Sequence, residues 1–204
     1  MESAADLFGE IERAGLFLDN SWKVKQNDHL DQRTSHIYEC RTLDELHEIA
    51  AKKSLAEEEQ MYAVHRWRNF KRHEAWLALL FEQVPSISLP PKAFHKQQDF
   101  FIAANGEDIP FDLKITRYPH SAGSGLDDRE LAEWFYKNQS RQGRFHLANR
   151  FFVVGQPEAA LYDIDLARKT VGEFVQSMSK FRHFIQHDTG QSSRAVILRQ
   201  VSSG

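Results

Sequence analysis

The clearest periodic pattern of apolar residues in this chain runs from Ala56 to Val84. Apolar residues recur there at steps of three and four, the spacing of one face of an α-helix. This apolar stripe consists of Ala63, Trp67, Phe70, Leu77, Phe81 and Val84. Pro85 disfavours a helical residue before it, so the pattern predicts one long helix that ends near Val84. Glu74 interrupts the stripe at a position where the spacing predicts an apolar residue.

Two strand-like runs follow, Gln97–Ala104 and Ile109–Thr116, with Asn105-Gly106 in the segment between them. An Asn-Gly pair between apolar runs favours a two-residue hairpin turn, because both residues tolerate positive φ. The pattern therefore predicts an antiparallel β-hairpin.

The predicted turn sets which residues of the hairpin face one another. With a two-residue turn the numbers of paired residues sum to 211, and Asp99 then lies directly opposite Asp112. Lys114 projects from the same face as Asp112, because side chains alternate along a strand. A four-residue turn would place Asp99 diagonally from Asp112 instead.

The rest of the chain predicts alternating helices and strands. The segments are a helix from Thr42 with a capping box to Glu45, a short strand at Ser86–Leu89, a helix from Asp127 toward Gly143, a buried strand at Phe151–Val154 ended by Gly155, a helix at Leu166–Ile185 and a strand at Arg194–Val201. This order predicts an α/β layered domain with a mixed central β-sheet flanked by helices.

Charge is distributed unevenly along the 204 residues. Residues 1–60 carry 7 Lys and Arg against 14 Asp and Glu, a net charge of −7, whereas residues 61–204 carry 19 against 15, a net charge of +4. We therefore predict an acidic N-terminal helical or loop appendage at 1–55 and a main domain at 56–204. The mild basic charge of the main domain permits a polyanionic partner without requiring one.

Three features predict a cytoplasmic protein that does not enter a membrane. Cys40 is the single cysteine, so no internal disulfide can form, and this is typical of a reducing compartment. No apolar run approaches the roughly 20 residues that cross a bilayer. The first fifteen residues are acidic, whereas a secretory signal begins with a basic segment.

The carboxylates of the hairpin indicate a cation site. Two carboxylates directly opposite one another destabilise a strand pair unless something neutralises them, and a divalent cation beside the ammonium of Lys114 would do so. Glu74, on a stripe predicted to be buried, is costly unless it is paired or binds a metal. The sequence thus predicts that Asp99, Asp112, Glu74 and Lys114 converge.

This constellation resembles the PD-(D/E)XK nuclease superfamily. Asp99, followed thirteen positions later by Asp112-Leu113-Lys114 and preceded by a helix that carries Glu74, is similar to the motif of that family over roughly residues 56–155. Where the family often has a proline before the first aspartate, this chain has Gln98. The resemblance implies a restriction-endonuclease-like fold and an endonuclease that hydrolyses phosphodiester bonds in DNA.

The resemblance also implies a role for each motif residue. Asp99 and Asp112 would be ligands of Mg²⁺, with Mn²⁺ as a substitute, and the main-chain carbonyl of Leu113 would be a further ligand. Lys114 would orient or activate the attacking water, and Glu74 would be an auxiliary ligand. Small nucleases of this kind commonly act as homodimers, since cutting two strands needs two sites.

Two other interpretations remain open. The fold could carry an inactive module that binds nucleic acid or protein, or Lys114 could simply be a salt-bridge partner of exposed aspartates. Two basic groups could hold phosphates or could lie on solvated helix faces. The first consists of Arg66, Arg68, Lys71 and Arg72, and the second of Lys137, Arg141, Arg144 and Arg150.

Overall fold

The computed structural model describes residues 2–16, 18, 28–90, 98–104, 106–123, 125–138, 149–178, 185–188 and 192–201, with the backbone alone at 185–188 and 192–193. The chain divides into two compact units, Met1–Ala78 and Leu79–Gly204. This division falls within the long helix, whereas the sequence predicts a domain boundary after residue 55. The extent of a nuclease-like domain over 56–204 therefore stays a prediction.

The first unit is built of helices. They are α1 (Ala4–Gly15), α2 (Asp28–Arg33), a 3₁₀ turn at Ser35–Tyr38, α3 (Leu43–Lys52) and most of α4 (Glu57–Gln83). The predicted capping box of α3 is confirmed: the Glu45 amide donates to the Thr42 hydroxyl, and the Thr42 amide donates to the Glu45 carboxylate. These bonds satisfy amide groups that a helix start leaves without partners.

A compact apolar core holds this unit together. Trp67 of α4 is fully buried, and its indole N–H donates to the Cys40 carbonyl at 3.0 Å. Ile37, Leu43 and Leu46 pack into the same cluster. Residues of the acidic N-terminal segment thus bury apolar side chains with α4, and their charged side chains are mostly exposed.

The buried face of α4 differs from the predicted stripe. Trp67 is fully buried, but Phe70, Leu77 and Phe81 are only half-buried. The fully buried positions in the second half of the helix include Ala75, Trp76, Leu79 and Leu80. The predicted stripe was wrong there because residues 75–81 are all apolar, so their periodicity does not select one face.

The second unit carries one mixed β-sheet. In the described residues its strands are β1 (Ile87–Ser88), β2 (Phe100–Ala104), β3 (Glu107–Arg117), β4 (Arg150–Gln156), β5 (Ile185–Asp188) and β6 (Ser192–Val201), in the order β1-β2-β3-β4-β6-β5. β3–β4 and β4–β6 are parallel pairs, whereas β1–β2, β2–β3 and β5–β6 are antiparallel.

Helices cover both faces of this sheet, which confirms the predicted α/β class. α5 (Asp128–Asn138) stacks Phe135 on Phe152 at 4.9 Å between ring centroids. α6 (Ile164–Met178) places Phe174 against Phe151 at 5.4 Å. Phe151 and Phe152 are consecutive in β4 and so project to opposite faces. No helix in the described part of the chain is long and apolar enough to cross a membrane.

Two predicted boundaries in the second unit need correction. α6 was predicted to reach Ile185, but Ile185 begins β5, a strand that the apolar pattern did not reveal. β6 begins at Ser192 rather than Arg194. The short polar sequence of β5 has no alternation of its own, and its pairing with β6 makes it a strand.

Candidate active site

The hairpin of β2 and β3 has the predicted register. Phe100 pairs with Phe111 and Ala104 with Glu107, so the paired residue numbers sum to 211. Gly106 has φ +78°, the positive value that a tight hairpin turn requires. Asn105 lies outside the described residues. This register places the start of β2 beside the middle of β3.

Asp99 lies one residue before β2 and contacts β3 through both its backbone and its side chain. Its amide donates to the Phe111 carbonyl at 2.8 Å, and its carboxylate accepts from the Leu113 amide at 2.7 Å. The regular ladder ends at the Phe100–Phe111 pair, one pair short of the predicted pairing of Asp99 with Asp112. The Asp99 carboxylate thus takes the place of a strand carbonyl at Leu113.

Asp112 and Lys114 meet on one face of β3. The Lys114 ammonium donates to the Asp112 carboxylate at 2.8 Å, as expected for residues two apart on a strand. Their side chains are 22% and 41% exposed, so this ion pair borders solvent. Because the pair is partly exposed, its desolvation costs little free energy, and it remains accessible to a charged ligand.

Asn149 holds Asp112 in place through three strands. Its carbonyl accepts from the Asp112 amide at 3.0 Å, and its side-chain amide donates to the Pro110 carbonyl at 3.0 Å. Its side-chain oxygen accepts from the Arg194 amide at 2.8 Å. The sequence reasoning missed Asn149, although a polar residue directly before a buried strand is a signal for such a bridge.

Glu74 belongs to the first unit, whereas Asp99, Asp112 and Lys114 belong to the second. Its carboxylate accepts from the Lys71 ammonium at 2.8 Å, and its side chain is 38% exposed. The premise that Glu74 is buried on an apolar stripe was therefore wrong, and the charged residue that α4 buries is Lys71, at 4% exposure. An ion pair accounts for Glu74 without a metal, and its role as an auxiliary ligand stays a prediction.

Two members of the first basic group, Arg66 and Arg68, have structural roles within their unit. Arg66 forms an ion pair with Asp31 at 3.2 Å and donates to the Thr34 hydroxyl at 2.6 Å. Arg68 donates to the Ile11 carbonyl at 2.9 Å. These partly buried side chains link helices to one another. They therefore do not form a solvated helix face, and their contacts are with protein groups.

The described members of the second basic group, Lys137 and Arg150, lie in different elements and differ in burial. Lys137 is exposed near the end of α5, and Arg141 and Arg144 lie outside the described residues. Arg150 is buried at the start of β4, and in the strand register its backbone lies beside that of Asp112 in β3. The interpretation as a solvated helix face was therefore wrong for this residue.

The donor set of this hairpin fits a hard cation. Asp99 and Asp112 supply carboxylate oxygens, and the carbonyl of Leu113 is a third candidate oxygen donor. Each hydrogen bond described above uses only part of a carboxylate's acceptor capacity of about four lone pairs. In the described residues no group of three or more His, Cys, Asp or Glu side chains is arranged to hold a metal ion. Mg²⁺ is usually held by one or two carboxylates together with water and substrate phosphates, and this set can provide the two carboxylates.

No protein-family model matches the chain, and comparisons with curated proteins and with solved structures found no match. We therefore infer the function from the geometry of the second unit. Its centre is the group formed by Asp99, Asp112 and Lys114.

Proposed function

We propose that this protein is a Mg²⁺-dependent endonuclease that hydrolyses phosphodiester bonds in DNA, on a restriction-endonuclease-like arrangement of the sheet and helices. One observation carries the proposal. The Asp99 carboxylate lies 2.7 Å from the Leu113 amide, in the same three-residue segment in which Lys114 contacts Asp112 at 2.8 Å. Two carboxylates and an ammonium thus lie together where β2 begins beside the middle of β3.

Each residue has a distinct part in this proposal. Lys114 carries three N–H donors and uses one for Asp112, so the ammonium has donors for a phosphate oxygen or for a water molecule. Asp112 fixes the position of that ammonium, and the Leu113 amide fixes the carboxylate of Asp99. When bound, Mg²⁺ would polarise the phosphate and lower the pKa of the attacking water.

In this proposal the ammonium of Lys114 stabilises the negative charge that develops on the phosphate during hydrolysis. In hydrolysis a water oxygen forms a bond to phosphorus while a phosphorus–oxygen bond to the leaving strand breaks, and charge builds on the remaining phosphate oxygens. A cation held in place before the reaction stabilises that charge without reorganising. We extend the proposal to Mn²⁺ as a substitute metal, to action as a homodimer and to a cytoplasmic location.

The alternative function is an inactive module on the same fold that binds nucleic acid or another protein. The observation that favours it is that Glu74 has Lys71 as its partner and that the described residues hold no three-carboxylate cluster. A metal-dependent cleavage assay separates the two functions.

The test uses the full-length protein on supercoiled, linear and branched DNA, with Mg²⁺, with Mn²⁺ and with EDTA. We expect cleavage with either metal, none with EDTA, and loss of cleavage in Lys114→Ala. Binding of DNA without cleavage under every condition would favour the inactive module. Cleavage that persists in EDTA, or is unchanged in Lys114→Ala, would contradict the proposal.

A further inference from the structure

Among the described residues, Arg150 is a buried cation without a counter-ion. The residue is 3% exposed, and its Nε atom is buried with no hydrogen-bond partner. The described part of the chain provides no ion pair to its guanidinium. Its guanidinium lies over the Tyr136 ring, whose centroid is 5.2 Å from the central guanidinium carbon.

A buried guanidinium without an anion is costly, because a ring face replaces little of the hydration that the charge has lost. The acidic side chains that the structure does not describe are Asp19 and Asp188. The backbone of Asp188 pairs with Ser192, three positions along β6 from Ala195, which is the neighbour of Arg150. The cost is explained if the partner of Arg150 is an anion that comes from outside the chain.

The register of the sheet places Arg150 beside the proposed active site. Arg150 pairs with Asp112 across the parallel strands β4 and β3, so both side chains project from the same face. Lys114 projects from that face one side-chain position farther along, and α5 covers the adjoining part with Phe135 and Tyr136. The ion pair of Asp112 is with Lys114, and among the described residues no ion pair or hydrogen bond joins its carboxylate to Arg150.

We infer that Arg150 binds a phosphate group of the nucleic-acid strand, next to the phosphate that the Asp112–Lys114 pair acts on. This inference rests on the proposed function. A guanidinium presents a planar fork of N–H donors that matches two phosphate oxygens at once. Two cations on one face, Arg150 and Lys114, are better matched to a polyanionic strand than to a ligand that carries a single carboxylate.

The first experiment measures anion binding without DNA or metal. Thermal melts are recorded in EDTA with inorganic phosphate, and with chloride at the same ionic strength, for wild type, Arg150→Met and Arg150→Lys. Arg168→Met is the control, since Arg168 is an exposed arginine in α6. We expect phosphate to raise the melting temperature of wild type and of the control, to act weakly on Arg150→Lys and to have no effect on Arg150→Met.

The same melts separate a binding role from a structural one. Without phosphate, Arg150→Met should melt above wild type by a few degrees, because it removes an uncompensated buried charge. A lower melting temperature for Arg150→Met, together with an unchanged phosphate response, would overturn the inference. Asp188→Asn tests an internal counter-ion: destabilisation of wild type but not of Arg150→Met by this change would also overturn it.

The second experiment measures affinity for a short DNA duplex in EDTA against salt concentration. Loss of one phosphate contact should reduce the slope of log affinity against log salt by about 0.9 in Arg150→Met and not in Arg168→Met. An equal slope in all variants contradicts a phosphate contact. If the protein cleaves DNA and all variants show equal slopes, the nuclease proposal holds and the inference about Arg150 is wrong. If phosphate raises the melting temperature through Arg150 and no DNA is cleaved, Arg150 binds phosphate and the nuclease proposal is wrong.

Discussion

The Nζ atom of Lys114 lies 2.8 Å from Oδ1 of Asp112, two residues away on the same face of β3. This pair has two consequences. It fixes the position of the ammonium that we propose as the catalytic cation, and it neutralises one of the two aspartates in the absence of metal. The same contact would form in a purely structural salt bridge, so the two roles have to be separated by experiment.

Replacing Lys114 by alanine separates catalysis from binding. We expect the rate of cleavage at saturating DNA to fall by about 10²–10³-fold, as when one preorganised charge-stabilising group is lost. Affinity for DNA should change little, since one charge among many phosphate contacts contributes a small share. The control is Lys169→Ala on the exposed face of α6. Equal cleavage by Lys114→Ala and Lys169→Ala would remove Lys114 from the mechanism.

Asp99 has both a structural and a proposed metal-binding role, and two substitutions distinguish them. In Asp99→Asn the amide oxygen can still accept from the Leu113 amide, so urea denaturation should show nearly wild-type stability while cleavage is lost. Asp99→Ala leaves that buried amide without a partner and should cost about 1–3 kcal/mol of unfolding free energy. Full activity in Asp99→Asn would show that the carboxylate serves only the backbone.

Mg²⁺ should stabilise the folded protein through Asp112. At a concentration of about 100 times Kd, a ligand that binds only the folded state adds about 2.7 kcal/mol to the free energy of unfolding. Thermal melts with Mg²⁺ and with EDTA should therefore show this gain for wild type and for Asp165→Asn, a change at an exposed position of α6. Asp112→Asn should show little gain. If wild type melts identically with Mg²⁺ and with EDTA, Asp112 is not a metal ligand.

Two glycines of the second unit should respond oppositely to alanine. At Gly155 a Cβ would lie 2.9 Å from Cδ2 of Leu161 and closer still to its Cγ, so Gly155→Ala should cost about 1–3 kcal/mol. At Gly172, inside α6, a Cβ would meet nothing within 4 Å, and Gly172→Ala should gain about 0.5–1 kcal/mol from helix propensity. Urea denaturation measures both. A neutral Gly155→Ala would mean that Leu161 yields easily.

Stability at acid pH should depend on Glu59. A hydrogen bond from the Arg33 guanidinium, and then one from the Ala56 amide, lower the pKa of the Glu59 carboxyl to about 2. Because the folded-state pKa lies below the ordinary value of 4.5, the contribution is complete above pH 4.5 and is lost as pH falls toward 2. Wild type and Glu59→Gln should therefore differ most above pH 4.5 and converge near pH 2.

The control for this pH profile is Glu57→Gln, at an exposed position of the same helix turn. Its stability should follow wild type over the whole acid range. A constant difference between wild type and Glu59→Gln from pH 7 to pH 2 would show that the Arg33–Glu59 pair does not shift the titration.

Local signals in the sequence were sufficient for the starts of two helices and for the hairpin. The capping boxes that begin α3 and α5 each involve two residues three apart, and both are present in the structure. The Asn105-Gly106 turn and the alternation around it predicted the register of β2 and β3, because a short turn leaves few ways to pair two strands. The same alternation placed Asp112 and Lys114 on one face.

Contacts distant in sequence decided the rest, because local periodicity carries no information about what packs against an element. The uniformly apolar residues 75–81 left the buried face of α4 open, and packing buried Lys71 and left Glu74 half-exposed beside it. β5 became a strand only by pairing with β6. Arg150 resembled one more residue of a basic surface cluster. The parallel pairing of β3 and β4, which brings together residues 38 positions apart, placed it buried beside Asp112.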